Sequence, residues 1–118
     1  MSNPITKHRN HAFNTQRRRC YYCTTLMWLH NPGAFAKEHH LTRRAAFRFQ
    51  CTAEHLVPRH AGGVDDAGNI VAACWFCNVT RHRRRNPFTS ERFRTFVHRR
   101  LRRFKWHPTS VRHLLEDF

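Results

Sequence analysis

The chain has 118 residues, with 22 Lys and Arg against 7 Asp and Glu, so it carries a net charge of +15 before its 11 histidines are counted. That length suits one domain with a small core, and that charge selects a polyanionic partner, nucleic acid before an acidic membrane surface. No apolar run is long enough for a transmembrane helix and the N-terminus has no apolar secretory segment, so the expectation is a cytoplasmic chain with no membrane partner. Of the five cysteines, the four that fall in two Cys-x-x-Cys pairs read in such a setting as metal ligands rather than disulfides, and ten phenylalanines are expected to fill much of the core.

In chain order, residues 1–19 are polar and basic, with Ile5 and Phe13 the main apolar side chains, and predict a basic flexible arm. Cys20-Tyr21-Tyr22-Cys23 forms a knuckle-like turn, Asn31-Pro32-Gly33 a second turn, and residues 35–46 are helix-prone with weak periodicity. Phe47, Phe49 and Cys51 alternate with Arg48, Gln50 and Thr52, which predicts a half-buried strand from residue 47, continuing through Glu54 and His55 to Pro58. A Gly- and Asp-containing loop spans 59–68, and residues 69–73 form a second short strand. A helix then opens at Cys74 to Asn78 and runs to Arg85, stopped by Asn86-Pro87.

Thr89 or Ser90 can cap a further helix. On it Phe93, Phe96, Val97, Leu101 and Phe104 lie at helical spacing to face the core, with arginines on the other faces. Pro108-Thr109 begins a last short helix carrying Val111, Leu114, Leu115 and Phe118. The expected organisation is the arm at 1–19, a zinc-stapled unit at 20–87, and basic amphipathic helices at 88–118 packed on it.

Two Cys-x-x-Cys turns, Cys20 with Cys23 and Cys74 with Cys77, supply the four ligands of a tetrahedral zinc. Four thiolates close the coordination sphere, so this Zn²⁺ is structural. Cys51, on an apolar strand face, reads as a small buried hydrophobe.

The remaining chemistry is concentrated in Glu54-His55-Leu56-Val57-Pro58, Gly62-Gly63, Asp65-Asp66, Asn69 and Asn78. Strand neighbours point to opposite faces unless the strand ends. An end just before Pro58 sets an oxygen ligand, Glu54, beside a general base, His55. Asn78, in the first turn of the next helix, can meet the same ion if that helix crosses the hairpin, and His82 lies four residues on along the same face. Singly, each of these residues has an ordinary structural reading; the combination is what points to chemistry.

In this combination the chain resembles the HNH endonucleases. Their pattern is an acidic residue followed by His, a nearby Pro, a Gly pair, an Asn before a short apolar strand, and Cys-x-x-Cys followed by Asn or His. The resemblance covers residues 47–85, and the preceding Cys pair extends it to residue 20. It implies an α+β fold: a ββα-metal finger, stapled by the four-cysteine zinc site, with C-terminal helices over its hydrophobic side. It implies His55 as general base, Asn69 bracing the loop that orients the base, and Glu54 and Asn78 as ligands of a catalytic divalent ion, Mg²⁺ or Mn²⁺, with His82 a rival or additional ligand. Two departures stand out: the acidic residue is Glu rather than Asp, and the last motif letter is Asn rather than His.

The implied reaction is hydrolysis of DNA, in preference to RNA, leaving 5′-phosphate and 3′-hydroxyl ends. Arg81, Arg83, Arg84 and Arg85 are expected at the nucleic acid, with Arg81 on the scissile phosphate. The alternative is a non-catalytic zinc-stapled nucleic-acid-binding module. Sequence preference, biological role and oligomeric state are left open.

Overall fold

The computed structural model describes residues 3–116; Phe118, expected on the last helix, lies outside them. Among the described residues no helix is long and apolar enough to cross a membrane.

The chain opens with helix α1 (Pro4–Thr15), so the basic segment expected as a flexible arm is ordered from its first turn. The Asn3 side chain accepts from the Thr6 amide at 2.8 Å and Pro4 occupies the first helical position, a start that needs no apolar stripe. Ala12 and Phe13 are buried against the sheet described below. Just past the helix, Gln16 pairs with one backbone position as a strand would: its Nε2 donates to the Ala72 carbonyl at 2.8 Å and its Oε1 accepts from the Ala72 amide at 2.9 Å.

Two short helices follow the knuckle at 20–23: α2 (Pro32–Glu38) and α3 (Arg43–Phe47). The second corrects the expected strand at 47–50. The Thr42 side chain caps Ala45 at 3.1 Å, so Phe47 closes a helical turn and is exposed, while Phe49 is fully buried. Phe47 therefore does not share a face with Phe49 and Cys51, and the pleat begins only at Cys51.

The sheet has two antiparallel strands, β1 (Cys51–His55) and β2 (Ile70–Cys74), paired Cys51 to Cys74 through His55 to Ile70. Helix α4 (Trp75–Arg83) leaves β2 directly, and the Cys74 sulfur serves as its N-cap by accepting from the Cys77 amide. This β1–loop–β2–α4 unit is the expected hairpin and helix.

Helix α5 (Ser90–Arg102) is capped by Thr89 and buries Phe93, Val97 and Leu101, three positions one turn apart. Phe104 does not join them: it lies beyond the helix end at φ 57° and is 62% exposed. The last element is a 3₁₀ helix at Thr109–Leu114, not an α-helix, with Val111 and Leu114 buried. The core falls into two apolar clusters. The larger joins α1, both Cys pairs, β2 and α5, and the smaller gathers Trp28, Phe35, Phe49, Val111 and Leu114.

Candidate active site and zinc centre

The four sulfurs of Cys20, Cys23, Cys74 and Cys77 are buried and lie within 4.8 Å of one another. Cys23 and Cys74 are 3.8 Å apart, matching the roughly 3.8 Å edge of a tetrahedron built on Zn–S bonds of ~2.3 Å. Donors already surround the sulfurs. The Tyr22 and Cys74 amides point at Cys20, and the Trp106 indole N–H donates to Cys77 at 3.3 Å. Burial pushes the Cys20 thiol up, but hydrogen bonds from Cys23, Cys74 and Cys77 outweigh it and hold the group well below its ordinary value. Burial pushes Cys74 and Cys77 well above theirs. The donor set, depth and spacing fit a closed zinc site. Cys51 stands apart as a buried thiol that desolvation raises to about 12.

The second cluster sits where β1 ends. Glu54 is buried, and its two oxygens face different partners. Oε2 accepts from Arg81 Nη1 at 3.1 Å and from the Tyr22 hydroxyl at 3.0 Å. Oε1 lies 2.9 Å from His82 Nε2. Burial and the Glu54 charge push the Tyr22 phenol well above its ordinary value, so it remains a donor.

His55, one residue on, faces the loop instead. Its Nε2 is 2.7 Å from Asp65 Oδ1, and Arg59 braces both Asp65 oxygens at 3.1 Å. The hydrogen bond from His55, then that from Arg59, holds the Asp65 carboxyl below the usual carboxylate range.

The loop between the strands is closed by Asn69 and by a glycine. Asn69 Nδ2 donates to the Val57 and Val64 carbonyls, and its Oδ1 accepts from the Val57 amide at 2.9 Å. Gly63 packs so tightly that a Cβ there would sit 1.7 Å from the Val57 carbonyl oxygen, so no side chain fits.

Asn78 comes from the first turn of α4. Its Nδ2 donates to Thr52 Oγ1 at 3.0 Å and to the Ala53 carbonyl at 3.2 Å. Glu54, His55, Asn78 and His82 thus line one open cleft of about 430 Å³, with Ile5 of α1 and Arg59 completing its walls. Glu54 and His82, already in contact, and Asn78, lining the same cleft, make an oxygen-and-nitrogen set suited to a hard or borderline divalent cation.

Arg81 corrects an expectation. Its side chain is 2% exposed, and all three nitrogens donate inward. Nε bonds the Phe88 carbonyl, Nη1 bonds Tyr22, Glu54 and the His55 carbonyl, and Nη2 bonds the Leu56 carbonyl. It cannot reach a phosphate from there. Arg83, Arg84 and Arg85 are exposed on the surface beyond it. Asp65, Arg59 and Tyr22 have no site role from sequence; Asp65 stands out there only as part of Asp65-Asp66, just past the glycine pair.

Residues 37–84 match the HNH endonuclease family. The matched segment begins in α2, spans the hairpin and loop, and ends just past α4, so it contains every side chain of the cleft except Ile5. No curated protein and no solved structure matches the chain significantly. Residues 37–84 are therefore similar to an HNH endonuclease domain, set in a mixed α+β frame with a four-cysteine cluster able to hold zinc.

Proposed function

We propose that the protein is a metal-dependent endonuclease that hydrolyses DNA phosphodiester bonds. What carries the reading is the convergence of Glu54, His55, Asn78 and His82 on one open cleft inside the HNH segment. Glu54 Oε1, His82 and the Asn78 amide would hold one divalent cation, Mg²⁺ or Mn²⁺. When bound, that cation supplies neutralisation of the charge that builds on the phosphate oxygens.

His55 is the base. A carboxylate only accepts, so Asp65 holds the ring proton on Nε2 and leaves Nδ1 as the lone-pair nitrogen. Nδ1 takes a proton from water, the water oxygen attacks phosphorus, and the P–O3′ bond breaks with O3′ taking a proton from solvent, which leaves 5′-phosphate and 3′-hydroxyl ends. Asn69 fixes the path of the loop that carries Asp65. Arg83, Arg84 and Arg85 offer exposed positive charge to the phosphates beside the cleft. The zinc centre ties the knuckle to the start of α4 and takes no part in the chemistry.

A zinc-stapled binding module without catalysis is the second reading. It is favoured by the Glu54–Arg81–Tyr22 bonds, which give Glu54 a structural task of its own. A supercoiled-plasmid assay decides between them. Zinc-loaded protein is tested with Mg²⁺, with Mn²⁺ and with neither, beside His55→Ala. Cation-dependent cleavage lost in the variant, with DNA binding kept, supports the nuclease; binding without cleavage under every condition supports the module.

A further inference from the structure

We infer that a second groove, behind α4, holds an unstacked nucleobase of the bound nucleic acid; this rests on the nucleic-acid reading above. The groove has a volume of about 490 Å³, within the ~300–1,000 Å³ of small-ligand pockets. Phe93 and Trp106 are buried at its floor, and Phe88 and Phe96 are half-buried at its sides. Phe96 meets Trp106 edge to face at 5.9 Å and Phe88 at 5.7 Å, so the rings present faces and edges at different angles rather than one closed stack.

The rim is cationic. Arg83, Arg84 and Arg100 line the mouth, and no acidic side chain does among the described residues. The adjoining pocket over Phe88 and Phe96 adds Arg92 and Arg99 against the single carboxylate Glu91. An apolar peptide or a lipid tail has no use for that rim. A nucleotide has use for both parts, since its base stacks on an aromatic face while its phosphates meet arginine. The Arg84 guanidinium lies 4.3 Å above the Phe88 ring and that of Arg92 4.7 Å. A planar cation therefore already covers a face that a base can take, and on moving aside it stays close to the adjoining phosphates.

Position supports the same occupant. Asn78 and His82 lie on one face of α4 and line the catalytic cleft. Thr80 and Arg83 lie on the opposite face and line the groove, by the 3.6-residue period. The two sites are thus about one helix diameter apart, ~10–12 Å, and a strand rounding the basic C-terminal end of α4 reaches both within a few nucleotides. A base lifted out of the stack there would favour single-stranded or frayed substrate over closed duplex.

The test uses the full chain, zinc-loaded, in a His55→Ala background so that the strand survives. Fluorescence anisotropy compares a single-stranded DNA with one of equal length and charge whose central nucleotides are abasic. The expected result is on the order of ten-fold tighter binding of the base-bearing strand, the size of one stacking contact. Phe88→Ala should abolish that difference and Phe88→Trp should keep it. Equal affinity for both strands overturns the inference, as does a difference that survives Phe88→Ala.

A measurement without a variant guards against misfolding. A strand carrying 5-iodouracil is photocrosslinked and mapped, and adducts at Phe88, Phe96 or Trp106 support the groove, while adducts only elsewhere overturn it. A dimer whose interface covers these rings overturns it as well. Plasmid cleavage by the wild type reads the nuclease proposal separately: base-dependent binding without cleavage sinks that proposal and supports the groove, and cleavage with base-independent binding does the reverse.

Discussion

Arg81 Nη1 donates to Glu54 Oε2 at 3.1 Å, with both side chains 2% exposed. The pair joins the end of β1 to α4 beneath the cleft, and Tyr22 adds the knuckle to the same oxygen. Removing one partner of a buried ion pair leaves the other charge without compensation, at a cost of about 3–5 kcal/mol. Arg81→Met should therefore lower the urea midpoint of the zinc-loaded protein sharply. Arg83→Met, at an exposed position, should stay within about 0.5 kcal/mol of wild type. An Arg81→Met protein of unchanged stability that only bound DNA less well would return Arg81 to the phosphate.

Catalysis is expected to separate His55 from the residues that hold it. His55→Ala should reduce the cleavage rate by about 10²–10⁴-fold, the usual contribution of a general base. Asp65→Ala leaves the ring in place but removes the acceptor on Nε2, so its loss should be smaller, on the order of ten-fold. Asp65→Asn keeps an acceptor oxygen and should fall between Asp65→Ala and wild type. Single-turnover rates at saturating protein measure all three. An Asp65→Ala rate equal to wild type would free His55 from this support.

How legible the site was depended on how local its signals are. Glu54 and His55 are adjacent, and the two Cys pairs mark themselves by spacing, so the hairpin, α4 and the zinc cluster follow from short stretches of chain. The buried role of Arg81 had no such mark. It is one of several arginines in a basic run, and only the third dimension separates it from exposed Arg83 and Arg84. Helix α1 was missed for a related reason. Its anchors are Ala12, Phe13 and the Gln16 amide on the distant Ala72 backbone, none of which makes an apolar stripe. Phe47 and Phe49 mislead because apolar residues two apart read as one strand face, whereas the capped turn sends Phe47 to solvent and Phe49 into the core.

Zinc should be a condition of folding rather than of chemistry. Its ligands join the knuckle to α4, and Trp106 and Thr25 touch two of the sulfurs, so losing the ion loosens the C-terminal segment as well. Cys23→Ser, or a strong chelator applied to the wild type, should broaden or abolish the thermal transition, with the tryptophan emission shifting red. Cys51→Ala should retain zinc at one ion per chain, because Cys51 lies outside the four-sulfur group. Metal analysis and fluorescence melts check both, and a Cys51→Ala protein without zinc would contradict the assignment.

His107 should make the protein acid-sensitive. Arg48 Nε donates to its Nδ1 at 2.9 Å, and its Nε2 lies 3.3 Å from Thr25 Oγ1, which is 3.0 Å from Cys23 Sγ. A proton added to the ring goes to Nδ1 and breaks the bond from Arg48. Burial, and then the Arg48 charge, lowers this imidazole to about 3, against about 6.5 in an unfolded chain. Between those values the unfolded state binds the extra proton, so stability rises with pH. The contribution is complete above about pH 6.5 and is lost as pH falls toward 3. His107→Gln retains an acceptor for Arg48 but does not titrate. It should be less stable than wild type at pH 7.5, and the gap should narrow by pH 5. Zinc-ligand protonation acts on both proteins and cancels in the comparison of their urea midpoints, so parallel pH curves would remove His107 as a source of the acid sensitivity.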